Sequence, residues 1–345
     1  MINLPKLQDF NFKGKKTLVR LDLDIPAEDD FRLKAELPTI RFLSNQEAKM
    51  ILMGHFGRPE GRVVEKLSLK PIALKIAKLL NLKFKIENLK NTFKIDDFLA
   101  FSLSEKLLFL ENLRFYPGEE KNDLNFAQKL AKLGDFYVNE AFATSHREHA
   151  SIVGIPKFLP HCAGFNFTKE VENLSKVLEN PQKPVVFVIG GAKPETKLPL
   201  VTEFAKKTDW VLVGGLLPTC SKFKIQSSKF KNIIWGELNK EGLDIDEKSI
   251  KKFKDIIKTA GTIVWNGPMG KFEEKKWEEG TRKVAEAIAQ SSAFKVVGGG
   301  DTIAALNRFN LFSKIDFVSL GGGAMLEYLA KGNLPGIQAI VNSKL

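Results

Sequence analysis

The chain has 345 residues, more than one hydrophobic core of ordinary size accommodates, so two lobes are expected. With 43% hydrophobic and 27% charged residues, 26 Gly and 15 Pro, the composition is globular and excludes a disordered, collagen-like or fibrous chain. The net charge of +12 is spread evenly, +5 up to Phe165 and +7 beyond it, with lysines single or paired as in Phe84-Lys85-Ile86 and Lys229-Phe230-Lys231; this describes a solvated surface rather than the concentrated basic face of a nucleic-acid reader.

In chain order, short β-rich apolar runs alternate with longer segments of helical period, the pattern of βαβ units and a parallel sheet. The first half predicts strands over residues 17–23, 50–54, 107–113 and 136–142, with helices over 69–80 and 126–133. A helix over 165–178 is followed by Asn180-Pro181-Gln182-Lys183-Pro184, whose prolines end the helix and restart the chain as a strand. The second half predicts strands over 185–189, 210–213, 233–235, 262–265, 294–297 and 317–320. It also predicts a helix over 246–259 with Ile250, Phe253, Ile256 and Ile257 on one face. The fold class is α/β: two lobes, each a parallel sheet flanked by helices, joined by an interdomain helix.

Cys162 and Cys220 stand far apart without a CxxC pattern, which excludes a disulfide framework and a four-ligand zinc site and fits a reducing compartment. The first residues lack the apolar core of a signal peptide, and no apolar run approaches a membrane span. A soluble cytoplasmic protein is expected, without membrane or nucleic-acid partner.

In open parallel sheets, ligands gather beyond the carboxyl ends of the strands. There the second half carries Gly190-Gly191-Ala192-Lys193, Gly214-Gly215, Asn266-Gly267-Pro268-Met269-Gly270, Gly298-Gly299-Gly300-Asp301-Thr302 and Gly321-Gly322-Gly323. Single glycine pairs also serve ordinary βα turns. Five such turns at one edge let backbone N–H groups and helix N-termini approach a bulky anion such as a nucleotide polyphosphate. The first half instead offers Arg20-Leu21-Asp22-Leu23-Asp24, His55-Phe56-Gly57-Arg58-Pro59, Glu111-Asn112-Leu113-Arg114 and His146-Arg147-Glu148-His149. Arginine forks at this density suit a small, highly charged anion. Neither GxxxxGK[ST] nor GxGxxG after a first strand is present. A glycine-edged nucleotide lobe with an arginine-rich anion lobe points to phosphoryl transfer between two bound anions.

The residues resemble the phosphoglycerate kinase family along nearly the whole chain. The motifs at residues 19–26 (VRLDLDIP), 37–40 (LPTI), 54–59 (GHFGRP), 110–115 (LENLRF), 138–142 (VNEAF), 146–149, 190–197 (GGAKPETK), 265–273 (WNGPMGKFE), 298–302 and 334–336 stand in the family's order. The resemblance implies reversible phosphoryl transfer between ATP and the carboxylate of 3-phosphoglycerate. It implies a phosphoglycerate-binding domain over 1–165 with segment 337–345 returning to it, an interdomain helix over 166–181, and a nucleotide-binding domain over 182–336. Asp22, Asp24, Arg32, His55, Arg58, Arg114 and Arg147 would bind the phosphoglycerate. Gly191, Lys193, Lys197, Gly214, Gly215, Asn266, Pro268, Glu273, Gly298, Gly299, Gly300, Asp301 and Thr302 would bind ATP or ADP, with Glu273 on the ribose and Asp301 on Mg²⁺. Arg32 and Lys193 would neutralise the transferred group after domain closure. The expected partners are small molecules, and the expected state is a monomer.

The chain departs from the family pattern at Asp24, usually Asn, at Glu140, usually Asp, and at Pro194-Glu195, Leu216 and Leu320. It also lacks a helix-containing piece within residues 221–244. From other classes, a non-catalytic nucleotide- or RNA-binding protein on the same scaffold is suggested by the charge and these departures. Against it, Arg32, Lys193, Lys197, Glu273 and Asp301 are all present. A nicotinamide dehydrogenase lacks its glycine fingerprint.

Overall fold

The computed structural model describes residues 2–25, 30–82 and 92–342. Pro26 of the first motif, the 84–86 run and residues 343–345 of the returning segment lie outside the described residues. The chain divides into two compact units, Met1–Glu172 with Asn333–Leu345, and Asn173–Gly332.

In the first unit β1 (Lys16–Arg20), β2 (Lys49–Met53), β3 (Phe93–Ile95), β4 (Phe98–Ser104), β5 (Leu107–Leu110), β6 (Phe136–Asn139) and β7 (His161–Ala163) form one sheet. Their order is β3-β4-β5-β2-β1-β6-β7. Val19 pairs with Leu52 on one side and Val138 on the other, both parallel. The β3–β4 and β4–β5 pairs are antiparallel, an edge that the expectation of a purely parallel sheet did not include. The reason is the length of the connections: the Asp96-Asp97 and Glu105-Lys106 turns allow a hairpin, whereas a parallel crossover needs about a dozen residues.

Observed strands end short of the expected ones because Leu21 and Leu23 stay buried after the ladder has ended at Arg20, so the apolar alternation outlasts the pairing. That overrun carries Asp22 and Asp24 past the sheet edge. Helix α1 (Asp30–Asn45) follows, burying Leu33, Leu37, Ile40 and Leu43 at helical spacing. Its interior Pro38 masks it in the sequence, since proline normally ends a helix. Further helices are α2 (Lys70–Leu79), α3 (Leu124–Ala131) and α4 (Phe165–Glu179). Asp123 sets the start of α3 by accepting the Phe126 N–H at 2.7 Å.

Glu140 and Thr39 cap α4. Phe165 N–H donates to Thr39 Oγ1 at 2.9 Å, and the Asn166 and Phe167 N–H groups donate to Glu140 at 3.0 and 3.2 Å. A side chain at Gly164 would collide with the Glu140 carboxylate, so glycine there makes room for the longer acid. The segment after Gly332 packs on the first unit, with Gly336 N–H donating to Ser145 O at 2.9 Å and His161 Nε2 lying 3.2 Å from Ile340 O in α11 (Pro335–Asn342).

In the second unit β8 (Val185–Ile189), β9 (Trp210–Val213), β10 (Ile233–Trp235), β11 (Thr262–Asn266), β12 (Phe294–Gly298) and β13 (Phe317–Ser319) make an all-parallel sheet in the order β10-β9-β8-β11-β12-β13. Val188 pairs with Leu212 and Trp265 in register. Every residue of β8 and β11 is buried, as expected of a sheet covered on both faces. The covering helices are α5 (Pro194–Ala205), α6 (Ser221–Gln226), α7 (Glu247–Ile257), α8 (Glu279–Gln290), α9 (Gly300–Arg308) and α10 (Gly322–Lys331). Asp246 caps α7 through the Ser249 N–H at 2.8 Å, so the expected helix loses its first residue to the cap. Among the described residues no helix is long and apolar enough to cross a membrane.

Candidate active site

In the first unit the carboxyl ends of β1, β2, β5 and β6 gather the charged side chains. Arg20 is fully buried: its Nε donates to Ser151 Oγ at 2.8 Å, its Nη1 to Leu21 O, and its Nη2 to His55 Nδ1 at 2.8 Å. Because Nδ1 accepts, the imidazole proton resides on Nε2, which faces Asp24 Oδ2 at 3.6 Å. Burial, joined by Arg20 and Arg114, pulls His55 down to about 3 against the opposing effect of Asp24, so the ring is neutral at physiological pH. Asp24 also accepts the Gly57 N–H at 2.9 Å. Burial opposes its charge, but the facing His55 N–H, the Gly57 hydrogen bond and the nearby Arg114 hold its carboxyl at about 2.

Asp22 is buried and pairs with Arg32, the third residue of α1, at 3.9 Å. Burial raises its carboxyl while Arg32 and Arg20 pull it back. Arg114 is 1% exposed; Nη1 donates to Gly57 O at 2.8 Å, Nε lies 3.1 Å from Glu120, and Nη2 is buried with no hydrogen-bond partner. A buried donor left unmade costs about 1–3 kcal/mol, a cost that an anion's oxygen would remove. Arg147 stands close enough to depress Arg114 further, after burial, and Arg58 lies exposed beside Gly57.

The sequence marked Arg20 and His149 only as members of charged stretches, and Glu119 and Ser151 not at all. Ser151 relays between Arg20 and buried Glu119, donating to Glu119 Oε1 at 2.5 Å while its N–H donates to Oε2 at 2.9 Å. Glu119 also lies 3.7 Å from His149 Nδ1. These groups hold the arginine cluster in place from below.

In the second unit four of the five glycine turns are tied to one another, and the fifth is reached by Asn266 Nδ2, 3.4 Å from Gly322 O. Gly190 N–H donates to Asn266 O, Gly191 N–H to Pro268 O, Gly215 N–H to Met269 O and Leu216 N–H to Gly191 O, at 2.8–3.1 Å. Gly267 N–H donates to Thr302 Oγ1 at 2.7 Å, and Asn266 Nδ2 donates to Gly298 O at 2.9 Å. The expected role of these glycines is corrected on this point: the N–H groups of Gly190, Gly191, Gly215 and Gly267 bond to the protein. Their lack of a side chain instead lets the turns interlock. Gly267 has φ +98°, and a Cβ there would strike Gly190 O and come within 2.5 Å of Lys197 Nζ. N–H groups without an intrahelical acceptor belong to the first turn of α9, after Gly299, where Gly300, Asp301 and Thr302 stand.

Lys197 sits in the resulting cradle, donating to Gly190 O at 2.7 Å. Burial pulls its ammonium down to about 8; Asp301 raises it and Lys193 lowers it, which places all three within one electrostatic site. Lys193 is exposed immediately before α5. Pro194 occupies the first position of α5, where its missing N–H is one that would have no intrahelical partner, so this departure is structurally neutral. Glu273 is exposed between buried Phe272 and Trp277.

The family model for phosphoglycerate kinase matches residues 7–224 and 219–332. The phosphoglycerate kinase of Borreliella afzelii is 38% identical over 98% of this chain and all of its own length, and that of a Hydrogenobaculum species is 37% identical over 99% of both. The solved kinases of Coxiella burnetii and Pyrococcus horikoshii superpose with TM-scores of 0.80 at 32% and 30% identity, covering 99% of this chain and all of theirs. The Borreliella alignment runs over 398 positions against 345 residues, and the two matched stretches meet at 219–224. With fold and motifs matched from end to end, the chain belongs to the phosphoglycerate kinase family, phosphotransferases that move a phosphoryl group between ATP and 3-phosphoglycerate.

Proposed function

We propose that Asp22, Asp24, Arg32, His55, Arg58, Arg114 and Arg147 bind the phosphoglycerate, and that the glycine edge with Lys193, Lys197, Glu273, Asp301 and Thr302 binds the nucleotide. The observation that carries the phosphoglycerate half of this reading is the Arg114 guanidinium, buried, with Nε beside Glu120 and Nη2 without a hydrogen-bond partner. A fold tolerates such a group when an anion completes it.

The attacking group is a carboxylate, ionised at neutral pH because free carboxyl groups titrate at about 4. No general base is required. The transition state needs its equatorial charge neutralised, and Arg32 and Lys193 supply this. Arg32 is oriented by Asp22, which is itself held by Arg20 and Arg32 in a partly dry environment.

Among the described residues no group of three or more His, Cys, Asp or Glu could hold a metal. A single exposed carboxylate, Asp301, stands at the α9 N-terminus. That donor set suits Mg²⁺, which takes one or two carboxylates together with substrate phosphates and water. Asp301 would hold it, and the ion would offset charge on the nucleotide phosphates. The partners are the small-molecule substrates, and the enzyme works as a cytoplasmic monomer with Cys162 and Cys220 as free thiols.

The test is a coupled assay of ADP formation from ATP, Mg²⁺ and 3-phosphoglycerate. Arg32→Ala is expected to lower turnover on the order of 10³-fold while nucleotide affinity changes little. Comparable losses in both would show that Arg32 lacks the assigned role.

A further inference from the structure

The loop that carries Glu273 is fastened to α9 at two points. Thr302 takes the Gly267 N–H at 2.7 Å at the start of the helix. At its last residue, Arg308 donates from Nε and Nη2 to Glu278 Oε2 at 3.0 and 2.9 Å, and from Nη1 to the backbone oxygen of Glu273 at 3.2 Å. Six residues of α-helix set these two fastenings about 9 Å apart along the axis.

The far end of the clamp is itself fixed. The Glu278 side chain is 7% exposed, and its other oxygen is held by Arg282, whose guanidinium lies 4.5 Å over the Phe309 ring. Lys271 and Glu274 close the turn with an ion pair at 2.5 Å. Glu273 is thus an exposed side chain on a turn whose backbone is anchored to the helix that presents Asp301 and Thr302.

We infer that Arg308 is a positioning residue of the nucleotide site. It holds the Glu273 turn at a fixed distance from the phosphate end of α9, so that ribose and polyphosphate are gripped together. This rests on the reading that Glu273 binds the ribose. The arginine fork is essential because three bonds leave one planar group for two different acceptors, which a lysine ammonium cannot span with the same geometry.

The experiment is steady-state kinetics of Arg308→Ala, Arg308→Lys, Glu273→Ala and the Arg308→Ala/Glu273→Ala pair, with thermal melts alongside. Lys283→Ala, which removes surface ion pairs on α8, is the control. Arg308→Ala is expected to raise KM for ATP roughly tenfold, as loss of a charge-assisted hydrogen bond does, while KM for 3-phosphoglycerate and saturating turnover stay within about twofold. Arg308→Lys recovers only part of the loss and keeps the test available if the alanine variant fails to fold. The pair is no worse than Glu273→Ala alone, because Arg308 acts through Glu273.

An unchanged KM for ATP in Arg308→Ala beside a raised one in Glu273→Ala overturns the positioning role. Equal increases in both KM values with a lowered melting temperature overturn it in favour of a general structural role. If Glu273→Ala itself leaves KM for ATP unchanged, it is the ribose assignment that falls, and the inference falls with it.

Discussion

On the proposed placement of Lys197 against the nucleotide phosphates, ATP binding is a proton-linked event. The Lys197 ammonium titrates at about 8 instead of 10.5 because burial in the glycine cradle disfavours the charge, Asp301 only partly restoring it and Lys193 adding to the depression. The sign follows from linkage. Between pH 8 and 10.5 the unfolded chain binds the extra proton, so stability rises with pH across that window, and below pH 8 the folded state carries the charge at a cost of about 3 kcal/mol. A polyphosphate placed against Lys197 removes that cost and returns the group toward its ordinary value. With a free value of about 8 and a bound value near 10.5, binding takes up about 0.75 proton at pH 8.5 and about 0.1 at pH 7. Calorimetric titration with ATP in the absence of Mg²⁺, in buffers of different ionisation enthalpy, reads this number directly. Lys197→Arg, always protonated, is expected to bind ATP with no such uptake at pH 8.5. Uptake below about 0.2 proton in the wild-type protein, or equal uptake in Lys197→Arg, would refute the reasoning.

Two further outcomes follow from packing and from hydrogen-bond completion. Gly267→Ala combines a φ of +98° with a collision at Gly190 O; backbone strain and overpacking together cost about 2–5 kcal/mol, so calorimetry should show the second unit's melting temperature lowered by roughly 5–15 °C, with nucleotide KM raised. Arg114→Lys keeps the charge but loses the fork that serves Gly57 O and leaves Nη2 for substrate; KM for 3-phosphoglycerate should rise on the order of 10- to 100-fold with KM for ATP unchanged, and an equal change in both constants would remove Arg114 from the substrate site.

The sheets were legible wherever both faces are buried. The runs 185–189 and 262–265 read as strands because covered parallel strands are continuously apolar. Several elements escaped notice for identifiable reasons: β3 and β7 have three residues each, and α1 contains Pro38. In the site, arginines and glycines at strand ends announce themselves because their chemistry is local to one turn. Arg20, Ser151 and Glu119 do not, since Ser151 lies 131 residues from Arg20 and 32 from Glu119, and only burial brings them together. The glycine turns do lie together, but several of the N–H groups read as anion donors are bonded within the protein. Backbone N–H groups in interlocked, buried turns must find partners, and here most find them in neighbouring turns.

Asp24 shows how a departure from the family pattern is absorbed. A second carboxylate beside Asp22 should repel an anionic substrate unless positive charge offsets it. One of its oxygens takes the Gly57 N–H, the other faces the imidazole Nε2–H of His55, and Arg114, which holds the carbonyl of the same Gly57, lies within its field. His55 is in turn fixed by Arg20, so its tautomer is set before any ligand arrives. The negative charge at residue 24 is therefore directed at the loop that carries Arg58 and not at the space in front of the arginines. An acceptor-only group there fixes the Gly57 peptide by its N–H while Arg114 fixes it by its oxygen, and these two bonds hold the loop in register with the cluster.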